Sequence, residues 1–332
     1  MNPERHQSTQ VESQDPNQEA IEALAERLSL KEQYLAQVKV LYQSGILENF
    51  AVDPSQDRYA PEMGITGING EQYIMPSYED ILIRLQNPEK RARLEKKIDQ
   101  GFTQLQLVPF ALPLSVLFNR LREVLLKVNK ETGIKSTNGT KLELNTDAPL
   151  YVWDQLVQGD NPDSKDKQIE YGVTNYDGKT KAERGGKFKN ELLANPDNAW
   201  ELSLIEANLD IPAEGKGKTI AGRKQLEANK SPKDYLKFFA ADPSDQQYQE
   251  YRGENGQTPE GAAYEAIAAL LQRQTAINDW EGSGKINFCV GSYVFGLVPF
   301  LGWGRYDRRP GVRGDVLDSR RDYCGCRPAA RF

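Results

Sequence analysis

The sequence predicts an α+β chain: a helical N-terminal region followed by one domain with a mixed antiparallel sheet, short strands and long loops. Helical three-to-four spacing of apolar residues is confined to a few segments, most of them in the first half of the chain. Short apolar runs, bounded by Gly, Pro, Asn and Asp, are scattered through the rest. Regular alternation of strand and helix, which would build a doubly wound parallel sheet, is missing. A chain of 332 residues, 38% hydrophobic and 27% charged, can bury a sizeable core and by length suggests about two domains. The expected division is a polar leader over residues 1–16, a helical region over 17–100 and the α+β domain over 101–332.

Taken in order, residues 1–16 carry too few apolar groups to fold alone. From Gln18 to Gln43 apolar residues recur at Ile21, Leu24, Leu28, Leu35, Val38 and Tyr42, interrupted at Lys31. That spacing predicts one amphipathic helix, and with only about three heptads it should pack on its own domain rather than in a coiled coil. Gly64 to Gly70 reads as turns, and Gln72–Met75 as a short strand. Ser77 with Asp80 three residues later is a cap signal, predicting a helix to about Lys97. Phe102–Val108 alternates as a strand, and Pro113 opens an apolar helix, Leu114–Val128, apolar on more than one side and so central to its half. Thr132 to Lys189 is polar and turn-rich, with Tyr151-Val152-Trp153 as its one clear buried strand. Trp200–Leu204 is another short strand, and 208–232 a loop. Thr258-Pro259-Glu260 opens a helix to about Ile277, with Ala263, Ile267, Leu270 and Leu271 on its apolar face. Gly282–Gly284 breaks the pattern, Lys285–Val290 alternates as a strand, and a last strand is expected near Gly325–Arg331.

Several chemistries are excluded or weakened by what the chain contains. The start, MNPERHQSTQ, lacks the apolar segment of a secretory signal, and no run approaches the roughly 20 apolar residues of a membrane span. The cytoplasm is the expected compartment, unless export uses a route the sequence does not show. The single histidine, His6, lies in the polar leader, so triad and Cys-His catalysis lack a base and His-containing metal sites are disfavoured. Cys289, Cys324 and Cys326 make no disulfide framework. Cys324 and Cys326 would face the same side of a strand, but a thiolate cluster with Cys289 lacks a fourth ligand, and buried thiols are the preferred reading. No metal and no cofactor is expected. Gly215-Lys-Gly-Lys-Thr219 resembles part of a phosphate loop, but the position that needs the first Gly is Pro212, which has no N–H to offer. A solvated basic loop is preferred there. The carboxylates are scattered, with no acid/base couple standing out.

Residues 291–332 are different in kind. They contain no Lys, Glu, Gln, Asn, His, Ile, Met or Thr, although the preceding 290 residues are rich in Lys, Glu, Gln and Asn. Each missing type is encoded only by codons containing adenine, and of the types present only Tyr and Asp need one. No folding principle sorts amino acids along that line, so the boundary points to a gene segment rewritten by a process that removes adenines. The tail holds eight Arg against four Asp, a net of +4 in a chain whose net charge is −6. An Arg-only, aromatic-bearing end on an acidic body has the composition of a recognition surface. A frameshifted or fused tail without a role is the plain alternative. Turn signals at Gly302, Gly304, Pro310-Gly311 and Gly314 speak against it.

Gly291-Ser292-Tyr293 after a strand, the turns that follow, and Gly325-Cys326-Arg327 near the end resemble the close of the C-type lectin fold in its formylglycine-generating-enzyme branch. Tyr293 stands where that branch has Trp, and Cys326 where it has Phe. The enzymes of that branch use a cysteine pair after the Gly-Ser-Trp, and this chain has no Cys between Val290 and Tyr323, so the resemblance brings no catalysis. Together with the adenine-poor tail, this ending resembles the variable proteins of diversity-generating retroelements. GFTQLQLVPFALPLSVL and GKGKTIAGRKQLEANKSP resemble the bodies of such proteins, and the likeness spans most of residues 60–332. In that family a reverse transcriptase randomises template adenines and writes the copy into the 3′ end of the target gene.

The resemblance implies a non-catalytic binding protein with a hypervariable C-terminal surface. A rewritten site must change without unfolding its host, so its positions should lie exposed on one contiguous face. Tyr293, Phe295, Trp303, Tyr306 and Tyr323 are the expected anchors, with Arg305, Arg309, Arg313 and Arg321 as bidentate or cation–π partners. Asp307, Asp315 and Asp318 complete the surface, and Phe295, Leu297 and Phe300 fit core and surface equally well by alternation alone. The expected ligand is a macromolecule, a protein rather than nucleic acid, because interleaved Asp would repel phosphates. The rival is an oxidase of the formylglycine-generating type, which a copper-binding assay would separate.

Overall fold

The computed structural model describes residues 16–50, 62–240, 247–280, 282 and 284–332. The leader expected over 1–16 lies almost wholly outside these residues; Pro16 already opens a helix. The fold is α+β, with helices and several antiparallel sheets.

Two helices, α1 (Pro16–Arg27) and α2 (Leu30–Gln43), replace the single one expected over 18–43. Ser29 between them is left-handed, φ 47° and ψ 46°, which a helix cannot continue through. The break lets Leu28 and Leu30 both reach the core, although residues two apart on one helix point away from each other. Strands β1 (Glu48–Phe50), β2 (Glu62–Thr66) and β3 (Gln72–Ile74) form a small antiparallel sheet. Gly64 therefore lies within a strand, not a turn; a Cβ there would stand 2.2 Å from the Tyr73 carbonyl oxygen, so only glycine admits that approach.

Ser77 caps α3 (Tyr78–Arg84): its Oγ accepts from the Asp80 amide, and Asp80 accepts from the Ser77 amide at 2.8 Å. The helix expected to reach Lys97 is divided at Pro88, which cannot supply the N–H that continuation needs and instead opens α4 (Pro88–Asp99). Then β4 (Phe102–Val108) and α5 (Leu114–Glu131) follow as expected. Next come β5 (Ile134–Ser136), β6 (Lys141–Leu142), β7 (Tyr151–Val152) and α6 (Asp154–Gly159). β7 lies at the edge of its sheet with Tyr151 exposed, and is not the buried strand expected. Short elements β8 (Glu170–Tyr171), α7 (Lys181–Arg184), β9 (Lys187–Phe188) and α8 (Lys189–Leu193) lead to β10 (Glu201–Glu206).

Within the expected loop over 208–232, β11 (Thr219–Ile220) and β12 (Arg223–Lys224) make a small hairpin. After α9 (Pro232–Phe239) and β13 (Asn255–Gly256), Thr258 caps α10 (Pro259–Arg273). That helix stops short of Ile277 because Gln274 turns left-handed, φ 52°, into β14 (Thr275–Ala276). The chain ends in β15 (Ile286–Phe288), β16 (Ser292–Tyr293), β17 (Leu297–Gly304), β18 (Arg309–Val316), β19 (Cys324–Gly325) and β20 (Pro328–Arg331).

Two sheets set the tail. In the order β13-β20-β10-β4 every pairing is antiparallel, so the last strand pairs within a sheet as expected, but a purely antiparallel one, with strands from the body, where a mixed sheet was expected. In the order β19-β15-β17-β18-β7 an antiparallel centre is flanked by parallel pairings at both edges. One face of this second sheet adds Leu301, Trp303 and Val312 to a continuous core that runs from Ile21 to Ala330 and includes the N-terminal helices. The other adds Ile286, Phe288 and Val298 to a second core with Tyr235 and Cys326. Helix α10 is buried nearly all round. Its Glu265 and Glu260 are paired inside the protein, with Arg327 and Lys189 at 2.7 Å each, which relieves an otherwise prohibitive burial of charge.

Candidate recognition site

The tail's exposed chemistry gathers on the β17–β18 hairpin. Its register pairs Phe300 with Arg313, Gly302 with Gly311 and Gly304 with Arg309, and these positions share one face. Leu301 opposite Val312 and Trp303 opposite Pro310 occupy the other. Gly302 and Gly311 leave a floor without side chains between two walls. The result is a groove of about 390 Å³ lined by Phe300, Tyr306, Asp307, Arg309, Arg313, Arg321 and Tyr323 of the tail and by Tyr151, Trp280 and Ile286 of the body.

Its walls are stacked rings and guanidinium groups. The Arg313 guanidinium lies 4.6 Å from the Tyr151 ring centre and 3.0 Å from Asp307. The Arg309 guanidinium lies 5.6 Å from the same ring, with Nη1 donating to the Ala148 carbonyl at 3.3 Å. Arg321 donates to the Tyr323 hydroxyl at 2.8 Å and stands 3.6 Å from Asp315. The Tyr323 hydrogen bond raises the pKa of that guanidinium above its ordinary value. Trp280 and Tyr323 pack ring to ring at 4.9 Å. At the hairpin turn, Arg305 grips the fully buried Asp279 through Nε at 3.0 Å and Nη2 at 2.7 Å, fixing the turn to the body in fork geometry.

The expected residues divide four ways. Phe300, Tyr306, Asp307, Arg309, Arg313, Arg321 and Tyr323 meet at the groove. Tyr306, 92% exposed, is the most open large apolar side chain among the described residues. Asp315 stands beside them through Arg321, and Arg305 beneath them through Asp279. Four others lie outside the groove, so the expected single contiguous surface is smaller than supposed. Tyr293 sits under the Arg184 guanidinium at 4.4 Å and stacks on Tyr176. Phe295, left-handed at φ 53°, is exposed and meets Trp153 edge-on, and Leu297 is half-buried. Asp318 is exposed, paired with Lys233 at 3.2 Å.

Trp303 corrects the expectation outright: it is 2% exposed and part of the main core. Its register explains this, because it shares a side of β17 with Leu301 while Gly302 and Gly304 face the groove.

Tyr151, Trp280 and Asp279 escaped the sequence reading. Tyr151 reaches the hairpin through a parallel pairing, Tyr151 with Gly311, across a span no local pattern records. An aromatic just ahead of Gly282 and Gly284 was the one available hint of Trp280.

Other sequence features find internal uses. The backbone of the Gly215–Thr219 loop faces the chain's own Glu227, which accepts from the Gly217 amide at 2.7 Å and from Lys224 at 3.0 Å. Burial pushes that carboxyl up, but these bonds outweigh it and hold it below the usual range. The loop thus already holds an anion of its own. The three cysteines are free and buried, and burial pushes the Cys324 thiol up to about 12 and raises those of Cys289 and Cys326 as well. Among the described residues no group of three or more His, Cys, Asp or Glu is placed to hold a metal ion, and no helix is long and apolar enough to cross a membrane. No protein-family model, curated protein or solved structure matches this chain.

Proposed function

We propose that this chain is a non-catalytic binding protein whose residues 291–332 form a recognition surface diversified by a retroelement and carried on a C-type lectin-like scaffold of the formylglycine-generating type. The observation that carries the reading is how those 42 residues divide their work. Val294, Val298, Leu301, Val312, Cys324, Cys326 and Ala329 are buried, while Tyr306, Asp307, Arg309, Arg313, Arg321 and Tyr323 line a groove open to solvent. Exposed positions tolerate replacement at a cost usually under about 0.5 kcal/mol, whereas large-to-small core changes cost about 2–5 kcal/mol. A gene segment rewritten at adenines can therefore renew the groove and leave its supports alone.

The long loops, the antiparallel hairpin and a terminal strand that closes a sheet with β10 and β4 fit the lectin-like scaffold. Protonated, buried thiols fit a protein without thiolate chemistry. The partner is a macromolecule, and a protein in preference to nucleic acid, since Asp307 and Asp315 stand among the groove's arginines. Sequencing the flanking DNA tests the origin of the tail. The reading expects a near-copy of the stretch encoding residues 291–332, with adenines where this gene has other bases, and sister genes that differ at those positions. A genome without such a copy, with an invariant tail, would overturn it.

A further inference from the structure

Seven of the tail's eight arginines have a carboxylate partner among the described residues, at 2.7 to 3.8 Å. Arg309 is the exception. Its Nη1 reaches only a backbone carbonyl, and its buried Nε has no partner. It also shares the Tyr151 ring with Arg313, so two cations converge on one face of the groove. Everywhere else the tail neutralises its guanidinium groups; here a positive site is left facing a cavity. Beside it, the glycine floor gives depth, and the Trp280 and Tyr323 rings, inclined at 36° to each other, offer an aromatic shelf.

We infer that the groove takes an acidic segment of a protein partner, its carboxylate against Arg309 and a neighbouring apolar or aromatic side chain on the Trp280–Tyr323 shelf. The inference rests on the reading of the tail as a recognition surface and adds the chemistry of what is recognised. A carboxylate matches a guanidinium in fork geometry, and among the described residues Arg309 is the one guanidinium of the groove without a carboxylate of its own. The rings supply contact area that a lone ion pair would lack. A nucleic-acid strand fits less well, because its successive phosphates would meet Asp307 and Asp315 at the rim, whereas one carboxylate can sit at Arg309 alone.

The test is a phage-displayed library of random linear peptides, panned on the full chain, with recovered peptides synthesised and titrated by fluorescence anisotropy. Recovered sequences should be enriched in Asp or Glu beside an aromatic or aliphatic residue. Their affinity should fall about tenfold or more in Arg309→Ala and less in Arg309→Lys. Arg320→Ala, outside the groove and paired with Glu214, should leave affinity within about twofold. Replacing the peptide's acid by its amide tests the same contact on unaltered protein, and should cost about as much as Arg309→Ala. Peptides that depend on Tyr151 or Tyr323 but carry no acid, or lose nothing as amides, overturn this inference and leave the recognition surface standing. Displacement of acidic peptides by a mixed-sequence single-stranded oligonucleotide also overturns it. If no recovered peptide depends on Arg309, Tyr151 or Tyr323, the groove as recognition surface falls with it.

Discussion

Trp303 and Tyr306 are three residues apart in one tail and should behave in opposite ways when removed. Trp303 is 2% exposed; a buried aromatic removes about 150–250 Å² from water, which at about 25 cal/mol per Å² corresponds to about 4–6 kcal/mol. Trp303→Ala should therefore cost on the order of 3–5 kcal/mol, as large aromatic truncations in cores do. That is a large part of the ~5–15 kcal/mol that holds an ordinary domain. The contrasting variant combines Tyr306→Ala, Asp307→Ser, Arg313→Ala and Asp318→Ser. Tyr306, 92% exposed, has little buried area to lose. Asp307 and Arg313 are removed together, so neither charge is orphaned, and a pair this exposed is worth about 0–1 kcal/mol. Lys233 loses Asp318 but keeps Asp177 at 2.7 Å. Four changes on the surface should thus stay within about 1–2 kcal/mol, less than one change at Trp303. Chemical denaturation of both variants beside the parent measures the difference, with unchanged m-values required for the comparison. The division between support and recognition is refuted if the quadruple variant loses as much as Trp303→Ala, or more.

Gly325→Val should also destabilise, by about 1–3 kcal/mol, because a Cβ there would stand 2.6 Å from Ile211 Cγ2; a thermal melt indistinguishable from the parent's would contradict it. Glu254 accepts from Lys97 Nζ at 2.6 Å and from Arg223 Nε and Nη2 at 2.6 and 2.7 Å, all buried. Glu254→Ala leaves the buried Lys97 without a carboxylate and Arg223 with Glu206 alone, at 2.7 Å, and should cost about 3–5 kcal/mol by denaturation, while a loss under about 1 kcal/mol would mean that water reaches the cluster. The three thiols should resist iodoacetamide at pH 8 in the folded protein and react after unfolding, as read by mass spectrometry; ready labelling of the native chain would rule out their burial. Their raised folded pKa values also set the sign of an alkaline effect. Any stability they confer is complete below the unfolded thiol value of about 8.5. It is lost as pH climbs from there towards the folded values, about 12 for Cys324, so a cysteine-free variant should show a shallower alkaline fall.

Elements whose signals lie within one turn or one strand were legible. The Ser77–Asp80 cap, the strand Phe102–Val108 and the starts of α5 and α10 were all in local sequence. What escaped were interruptions whose cause is tertiary. Leu28 and Leu30 look compatible with one helix until the core demands both, and the price is a left-handed Ser29. Gly64 reads as a turn because nothing nearby in sequence announces that Tyr73 will approach it. At the site, composition marked where the surface begins and which side chains could serve. It could not assign Trp303 to the core, since both faces of β17 carry apolar residues and alternation distinguishes nothing there. Nor could it bring Tyr151 and Trp280 to the groove, because their places depend on pairings and packing with strands remote in the chain.

The parallel contact between β7 and β18 has a bearing on how such a protein survives change. A strand whose residues are replaced at random will sometimes come out flat, apolar and sticky, and an open border of that kind recruits other molecules into shared sheets. Here the hairpin is bounded by β15 on one side and β7 on the other, both supplied by residues before 291. β7 covers that border at Gly311 and Val312, and the longest stretch of β18 left without a strand partner on that side among the described residues is the four residues 313–316, a poor template for association. The clasp itself is backbone: the Trp153 amide donates to the Val312 carbonyl at 2.9 Å, a bond to which the side chain at 312 is not a party. On the reading proposed above, unlucky variants would fail to bind their target without also clumping, and a population carrying many versions could discard them one at a time.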